Sequence, residues 1–125
     1  MIKLDRNILQ INGKAISFKY PIVEIINYED LVILMLGVHP RKTDLQNIFA
    51  VNSDVEIVWQ IEEIPYKGTE RNSIVYMTLY DDKLLFFDDL GNGYFVDLEN
   101  GCVSYLTKNE IIKIRENKKR QKYEK

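Results

Sequence analysis

Tyr28-Glu29-Asp30-Leu31-Val32-Ile33-Leu34-Met35 is the most informative stretch of the chain, because its pattern occurs a second time. The second copy is Tyr80-Asp81-Asp82-Lys83-Leu84-Leu85-Phe86-Phe87, again an aromatic residue and two acids that lead into an apolar run. A further stretch follows each copy, and 51–59 aligns with 96–105 once one residue is inserted in the turn. Self-similarity at a period of roughly 50 residues is typical of repeat architectures. The sequence therefore predicts two repeated β units.

Turn signals indicate that these units are antiparallel. Asn-Gly pairs occur at 12–13, 92–93 and 100–101, each beside apolar or β-branched residues. Both central residues of a type I′ turn need a positive φ, which Asn tolerates and Gly accepts freely. We therefore expect a mainly antiparallel all-β fold with a short C-terminal α-helix. Its two meander or blade-like units, at about 22–61 and 74–106, are expected to pack as a small sandwich or partial barrel.

Side-chain alternation predicts which strand faces are buried. Ile57, Trp59 and Ile61 fall on one face of a strand, as a half-buried antiparallel strand requires. The repeat alignment places Val103 opposite Ile57 and Tyr105 opposite Trp59. Trp59 and Tyr105 are therefore expected to occupy equivalent core positions.

The apolar runs are too short for a membrane span. The longest, Leu31–Leu36, is far below the ~20 residues that cross a bilayer, and both it and Leu84–Phe87 suit central strands covered on both faces. The single cysteine, Cys102, excludes an intramolecular disulfide, and the N-terminus lacks the pattern of a secretory signal. These features predict a cytoplasmic protein with no membrane partner.

Charge is unevenly distributed along the chain. Residues 1–108 carry ten Lys or Arg against sixteen Asp or Glu, a net charge of −6, whereas residues 109–125 carry seven against three, a net charge of +4. The boundary predicts a single all-β domain over 1–108 and a basic C-terminal helix or tail over 109–125. Asn109 is the expected N-cap, and the helix is expected to dock through its first turns and to fray from about Asn117.

The second half of each unit shares a motif in which a strand ends in an aliphatic residue followed by Asp or Asn, and a short turn leads to an aromatic residue. The residues are Val96-Asp97, Asn100-Gly101 and Tyr105 in the second unit, and Val51-Asn52, Val55 and Trp59 in the first. This motif resembles the repeat of pyrroloquinoline-quinone-type β-propellers, from which the first unit departs at Val55, where Gly is usual. Two units cannot close a propeller of four to eight blades, so no residue here inherits a quinone site.

Candidate catalytic groups are few. His39 is the only histidine and lies in a predicted loop, while Cys102 lies in a predicted strand, where a lone thiol is usually a packing residue. The acids at 88–89 and their neighbours lack the D-x-D-x-D-G spacing and the terminal Glu of a calcium loop, and Asp is favoured in turns for other reasons. We therefore expect no catalytic residue, no cofactor and no metal site.

The acidic body favours a basic protein as partner. As a whole, the chain also resembles small stand-alone bacterial immunity proteins found beside secreted toxin domains. This resemblance implies a non-enzymatic protein-binding module that neutralises a basic toxin or effector through an acidic surface. The expected partner-binding residues are Asp81, Asp82, Asp88, Asp89, Glu62, Glu63, Tyr66 and Arg71.

Two other classes of function stay open. The seven cations of the tail predict, as the main alternative, a phage- or mobile-element-associated accessory protein that binds nucleic acid through its basic C-terminal tail. The third class is a subunit of a larger β assembly, including a homodimer, that pairs through open sheet edges.

Overall fold

In the computed structural model, the described residues are 2–37, 46–62, 74–80, 83–88 and 92–123, and they form eleven strands and one helix. The elements are β1 (Ile2–Asp5), β2 (Ile8–Ile11), β3 (Lys14–Ser17), β4 (Ile22–Tyr28), β5 (Leu31–Leu36), β6 (Ile48–Val51), β7 (Ile57–Gln60), β8 (Ile74–Tyr80), β9 (Lys83–Asp88), β10 (Gly93–Val96), β11 (Val103–Tyr105) and α1 (Lys108–Tyr123). The strand pairs are antiparallel. The predicted mainly antiparallel all-β fold with a C-terminal helix is therefore confirmed.

Strands that follow one another in sequence are neighbours in the sheets. β1, β2 and β3 form a three-stranded sheet, here called the N-terminal sheet. β4 to β7 form a four-stranded meander, here called the first unit, and β8 to β11 form another, here called the second unit. Each unit is thus built from consecutive hairpins, as the turn signals indicate.

The three sheets and the helix pack as successive layers. One face of the first unit packs against the N-terminal sheet, where Leu34 and Leu9 share a buried cluster. Its other face packs against the second unit, where Ile33 and Phe86 share the largest cluster. α1 covers the remaining face of the second unit through Ile114. Because both faces of β5 and β9 are covered, their continuous apolar runs are buried, as predicted.

Corresponding residues of the two units face the sheet that comes before each unit in the chain. In β5, Val32 and Leu34 pack with the N-terminal sheet, whereas in β9 the aligned residues Leu84 and Phe86 pack with the first unit. The second unit therefore follows the first in the same orientation, as a head-to-tail repeat.

The turn before the last strand of each unit is closed by a comparable hydrogen bond, which spans three residues in the first unit and four in the second. Val55 N–H donates to the Asn52 carbonyl at 3.0 Å, and Gly101 N–H donates to the Asp97 carbonyl at 2.8 Å. Both donors are left-handed, with φ of 56° at Val55 and 78° at Gly101. For a β-branched residue this conformation is strained. The Val55 side chain packs with the cluster of the N-terminal sheet, and burial there offsets part of the strain.

The predicted equivalence of Trp59 and Tyr105 is wrong by one position. Trp59 pairs with Ala50 after a bulge in the first unit, whereas Tyr105 pairs with Tyr94 in a regular ladder. A bulge adds one residue to one strand and changes the face on which the following side chains lie. Trp59 is consequently 6% exposed, while Tyr105 is 44% exposed and Ile57, expected in the core, is 49% exposed.

The N-cap of the helix is Thr107, two residues before the predicted Asn109, and it forms a capping box. Glu110 N–H donates to the Thr107 hydroxyl at 3.2 Å, and Thr107 N–H donates to the Glu110 carboxylate at 3.1 Å. The backbone and then the hydroxyl of Thr107 hold the pKa of the Glu110 carboxyl below its usual range, and Lys83 and Lys113 lower it further. The cap's contribution to stability is therefore present above the ordinary carboxyl pKa and is lost as the pH falls through the lowered value.

The first turns of α1 dock on the second unit. Ile114 is buried and Ile111 is half-buried against Leu85 and Leu106, while the neighbouring Ile112 is 52% exposed. The helix continues to Tyr123, beyond the predicted point of fraying. Within the described residues, no helix is long and apolar enough to cross a membrane.

Deletion of the residues after Asn117 is expected to change the melting temperature by less than about 5 °C. The docked isoleucines precede the cut, so the deletion removes none of the described apolar contacts of the helix. The control is truncation after Leu106, which removes both docked isoleucines and should lower the melting temperature clearly. A larger loss on the shorter deletion would show that the tail packs against the domain.

Candidate functional site

Most of the partner-binding residues predicted from sequence lie outside the described residues. These are Asp81, Asp82, Asp89, Glu63, Tyr66 and Arg71, and His39 lies outside as well. Asp88 is the last residue of β9, where its backbone pairs with Ile74. Glu62 is the one predicted site residue whose side-chain contacts are described.

Glu62 joins the two units. Its carboxylate accepts a hydrogen bond from the backbone N–H of Val103, and its own N–H donates to the Gly101 carbonyl at 3.2 Å. Val103 begins β11, the edge strand of the second unit. The carboxylate therefore satisfies a donor on a sheet edge, and Glu62 positions the neighbouring strand.

Trp59 makes a second connection between the units. Its indole Nε1 donates to the Leu98 carbonyl at 2.8 Å. The ring lies so close to Gly101 that a Cβ there would stand 2.8 Å from the indole Cε3. Together with Glu62, Trp59 fixes the turn between β10 and β11 against the first unit.

An open cleft of about 950 Å³ lies between the two units beside this turn. One side is the β4–β5 turn, Tyr28 to Leu31, and Val58 of the first unit also contributes. The second unit provides Lys83, the segment Phe95 to Glu99 and the segment Cys102 to Ser104. Sequence reasoning did not identify this cleft, although Tyr28 to Leu31 is the first half of the repeated octapeptide.

The cleft combines an apolar interior with an acidic rim. The interior residues Leu31, Val96 and Val103 are buried or half-buried. The exposed charged residues of the lining are Glu29, Asp30, Asp97, Glu99 and Lys83. Four carboxylates against one ammonium give the described lining a net charge of −3. The local potential therefore favours cations.

The carboxylates are spread around the rim. Asp97 Oδ1 accepts a hydrogen bond from the Glu99 N–H at 2.8 Å, which orients that carboxylate along its own turn. Among the described residues, no group of three His, Cys, Asp or Glu side chains is placed to hold a metal ion. This arrangement suits several separate cationic groups better than one compact divalent ion.

Cys102 is the only thiol of the chain and is exposed in the lining. Its backbone N–H donates to Asn100 Oδ1 at 2.9 Å, which closes the turn. The described lining contains no histidine to act as a base beside the thiol. The described lining offers charged and apolar groups for contact with a ligand.

Comparisons with curated proteins and with solved structures give no match. A family model described as "Domain of unknown function (DUF7957)" matches residues 1–108. The match contains the three sheets and both walls of the cleft, and it ends at the first residue of α1. Since the match spans most of the sequence, the chain belongs to the DUF7957 family.

Proposed function

We propose that this protein is a non-enzymatic protein-binding module that recognises a basic partner through the cleft between its two units. An immunity-type inhibitor of a basic toxin or effector is the form of this function that the acidic body favours. The observation that carries the proposal is the cleft itself, in which a rim of net charge −3 surrounds an apolar interior.

The composition of the cleft resembles that of a protein interface. Interfaces combine a desolvated apolar centre with a polar rim, and complementary charge on the rim raises the rate of association. Leu31 and Val103 can supply the apolar contact, while Glu29 and Glu99 attract the partner from opposite sides. Asp81, Asp82, Asp88 and Asp89 remain in this proposal as sequence-based candidates that would extend the acidic surface.

Reversing two rim acids, Glu29→Lys with Asp30→Lys, is expected to weaken the binding of fluorescein-labelled octa-arginine by roughly tenfold at low salt. Both residues are exposed in a turn, so the reversal should not disturb the core. Fluorescence anisotropy gives the dissociation constant, and wild-type affinity should fall as salt rises, because exposed charges are screened within about 8–10 Å.

The matched control is Asp5→Lys with Glu116→Lys, which changes net charge equally at two exposed positions outside the cleft lining. We expect this control to weaken binding far less than the rim reversal. Equal weakening by the two variants would show that only net charge matters, and would contradict recognition in the cleft.

The second candidate function is nucleic-acid binding through α1. The observation that favours it is that the basic helix continues to Tyr123 and lies almost entirely beyond the family match, as a charged addition to the three sheets. A DNA duplex of about 20 base pairs tests it against the chain cut after Asn117. Loss of duplex binding on that deletion, with no effect of the Glu29 and Asp30 reversal on octa-arginine, would favour the second candidate over the first.

A further inference from the structure

Lys83 is the one cation among the described residues that line the cleft, and it lies over an aromatic ring. Its ammonium is 5.1 Å from the centroid of the Phe95 ring, which also lines the cleft. A cation at this distance from a ring face is attracted by the ring's quadrupole. The cleft therefore contains a position for a cation, and a residue of the chain itself fills it.

The position of Lys83 follows from the fold. Lys83 is the first residue of β9, and Phe95 lies on the neighbouring β10, opposite Leu85. The Lys83 side chain is exposed, whereas the Phe95 ring is half-buried between the second unit and α1. The ring is therefore held by packing, whereas the ammonium lies at the surface.

Among the described residues, Lys83 forms no ion pair, although four carboxylates line the same cleft. Its ammonium is held over the ring without a carboxylate contact within 4.0 Å in the described part of the chain. Moving this group away from Phe95 breaks no described salt bridge. A cationic group of a ligand can then lie over the Phe95 ring, where the carboxylates of the cleft rim also attract it.

We propose that Lys83 is a built-in competitor of the cleft: its ammonium occupies the place over Phe95 that a cationic side chain of the partner takes, and binding displaces it. This inference rests on the proposed function. The ligand class that it identifies is a polypeptide segment with exposed Arg or Lys side chains, because such a segment presents spaced cations together with apolar stems.

Lys83→Gln is expected to tighten the binding of fluorescein-labelled octa-arginine by about two- to fivefold relative to Lys3→Gln. Both variants remove one positive charge, but Lys3 is exposed on the N-terminal sheet, outside the cleft lining. Any gain common to both variants is an effect of net charge. Only a gain in affinity for Lys83→Gln beyond that of Lys3→Gln supports displacement of the Lys83 ammonium by the ligand. Lys83→Arg keeps the competing cation and should bind no more tightly than the wild type.

A second pair of variants tests the ring. In a Phe95→Leu background, Lys83→Gln should tighten binding no more than Lys3→Gln does, because the platform for the incoming cation is gone. Melting temperatures establish that each variant folds, and they also test a purely structural role of Lys83 beside Glu110. That role predicts a lower melting temperature for Lys83→Gln without tighter binding, which would overturn the proposal.

The failures of the two proposals are distinguishable. If the wild type binds octa-arginine, the Glu29 and Asp30 reversal weakens binding, and Lys83→Gln gains no more than Lys3→Gln, then only the competitor role is wrong. If the rim reversal and its control weaken binding equally, the proposed function fails, and the competitor role fails with it.

Discussion

Replacement of Trp59 by Ala is expected to lower the free energy of unfolding by about 3–5 kcal/mol, measured by urea denaturation. The side chain is 6% exposed and packs in the cluster between the two units. Its removal leaves a cavity that β7 cannot readily close, since the hydrogen bonds to β6 hold the backbone of this edge strand in place. It also leaves the Leu98 carbonyl without its indole donor.

Two variants separate the contributions of the indole. Trp59→Phe keeps an aromatic ring but loses the 2.8 Å bond to the Leu98 carbonyl, and we expect it to cost about 1–2 kcal/mol. The comparison variant is Tyr105→Ala, because the repeat alignment predicts that Tyr105 is equivalent to Trp59. Because Tyr105 is 44% exposed, its truncation should cost about 1–2 kcal/mol, mostly from its contact with the Tyr94 ring. Equal costs at Trp59 and Tyr105 would contradict the bulge in the first unit.

The Asn-Gly pairs illustrate how far local signals predict this fold. The pair Asn12-Gly13 forms the expected turn, with φ of 49° and 86°. Gly93 instead begins β10, where a Cβ would stand 2.8 Å from a Leu106 methyl carbon. The same dipeptide thus serves a turn in one place and close packing in another. Local sequence does not distinguish these uses, because the atom that requires the glycine comes from a distant residue.

The cleft was outside the reach of sequence reasoning for the same reason. Its walls come from the turn at 28–31 and from segments more than 60 residues later, so its lining depends on how the two units pack. Acid-rich composition predicted an acidic surface, but it did not select Glu29, Asp30, Asp97 and Glu99, the acids that line the cleft. It did not indicate that the Glu62 carboxylate is bound to the Val103 N–H, since that contact depends on the bulge that sets where β7 ends.

Gly101→Ala is expected to cost about 2–4 kcal/mol of unfolding free energy, against about 1–2 kcal/mol for Gly13→Ala. Both glycines have a positive φ, 78° at Gly101 and 86° at Gly13, so backbone strain is common to the two variants. A Cβ at Gly13 meets no atom within 4 Å. At Gly101 it would stand 2.8 Å from Trp59 Cε3 and 3.0 Å from the Gln60 carbonyl oxygen, so the excess cost measures overpacking between the units.

A double-mutant cycle assigns that excess to its source. In a Trp59→Ala background, Gly101→Ala should cost at least about 1 kcal/mol less than in the wild type, because the ring that the new methyl group meets is gone. Backbone strain and the contact with the Gln60 carbonyl remain, so the cost should not vanish. Additive costs would show that Trp59 does not pack on this turn. The turn also bears Asp97 and Glu99 of the cleft rim, so additivity would leave the Glu62 hydrogen bonds as the described contacts that fix this part of the rim before a partner binds.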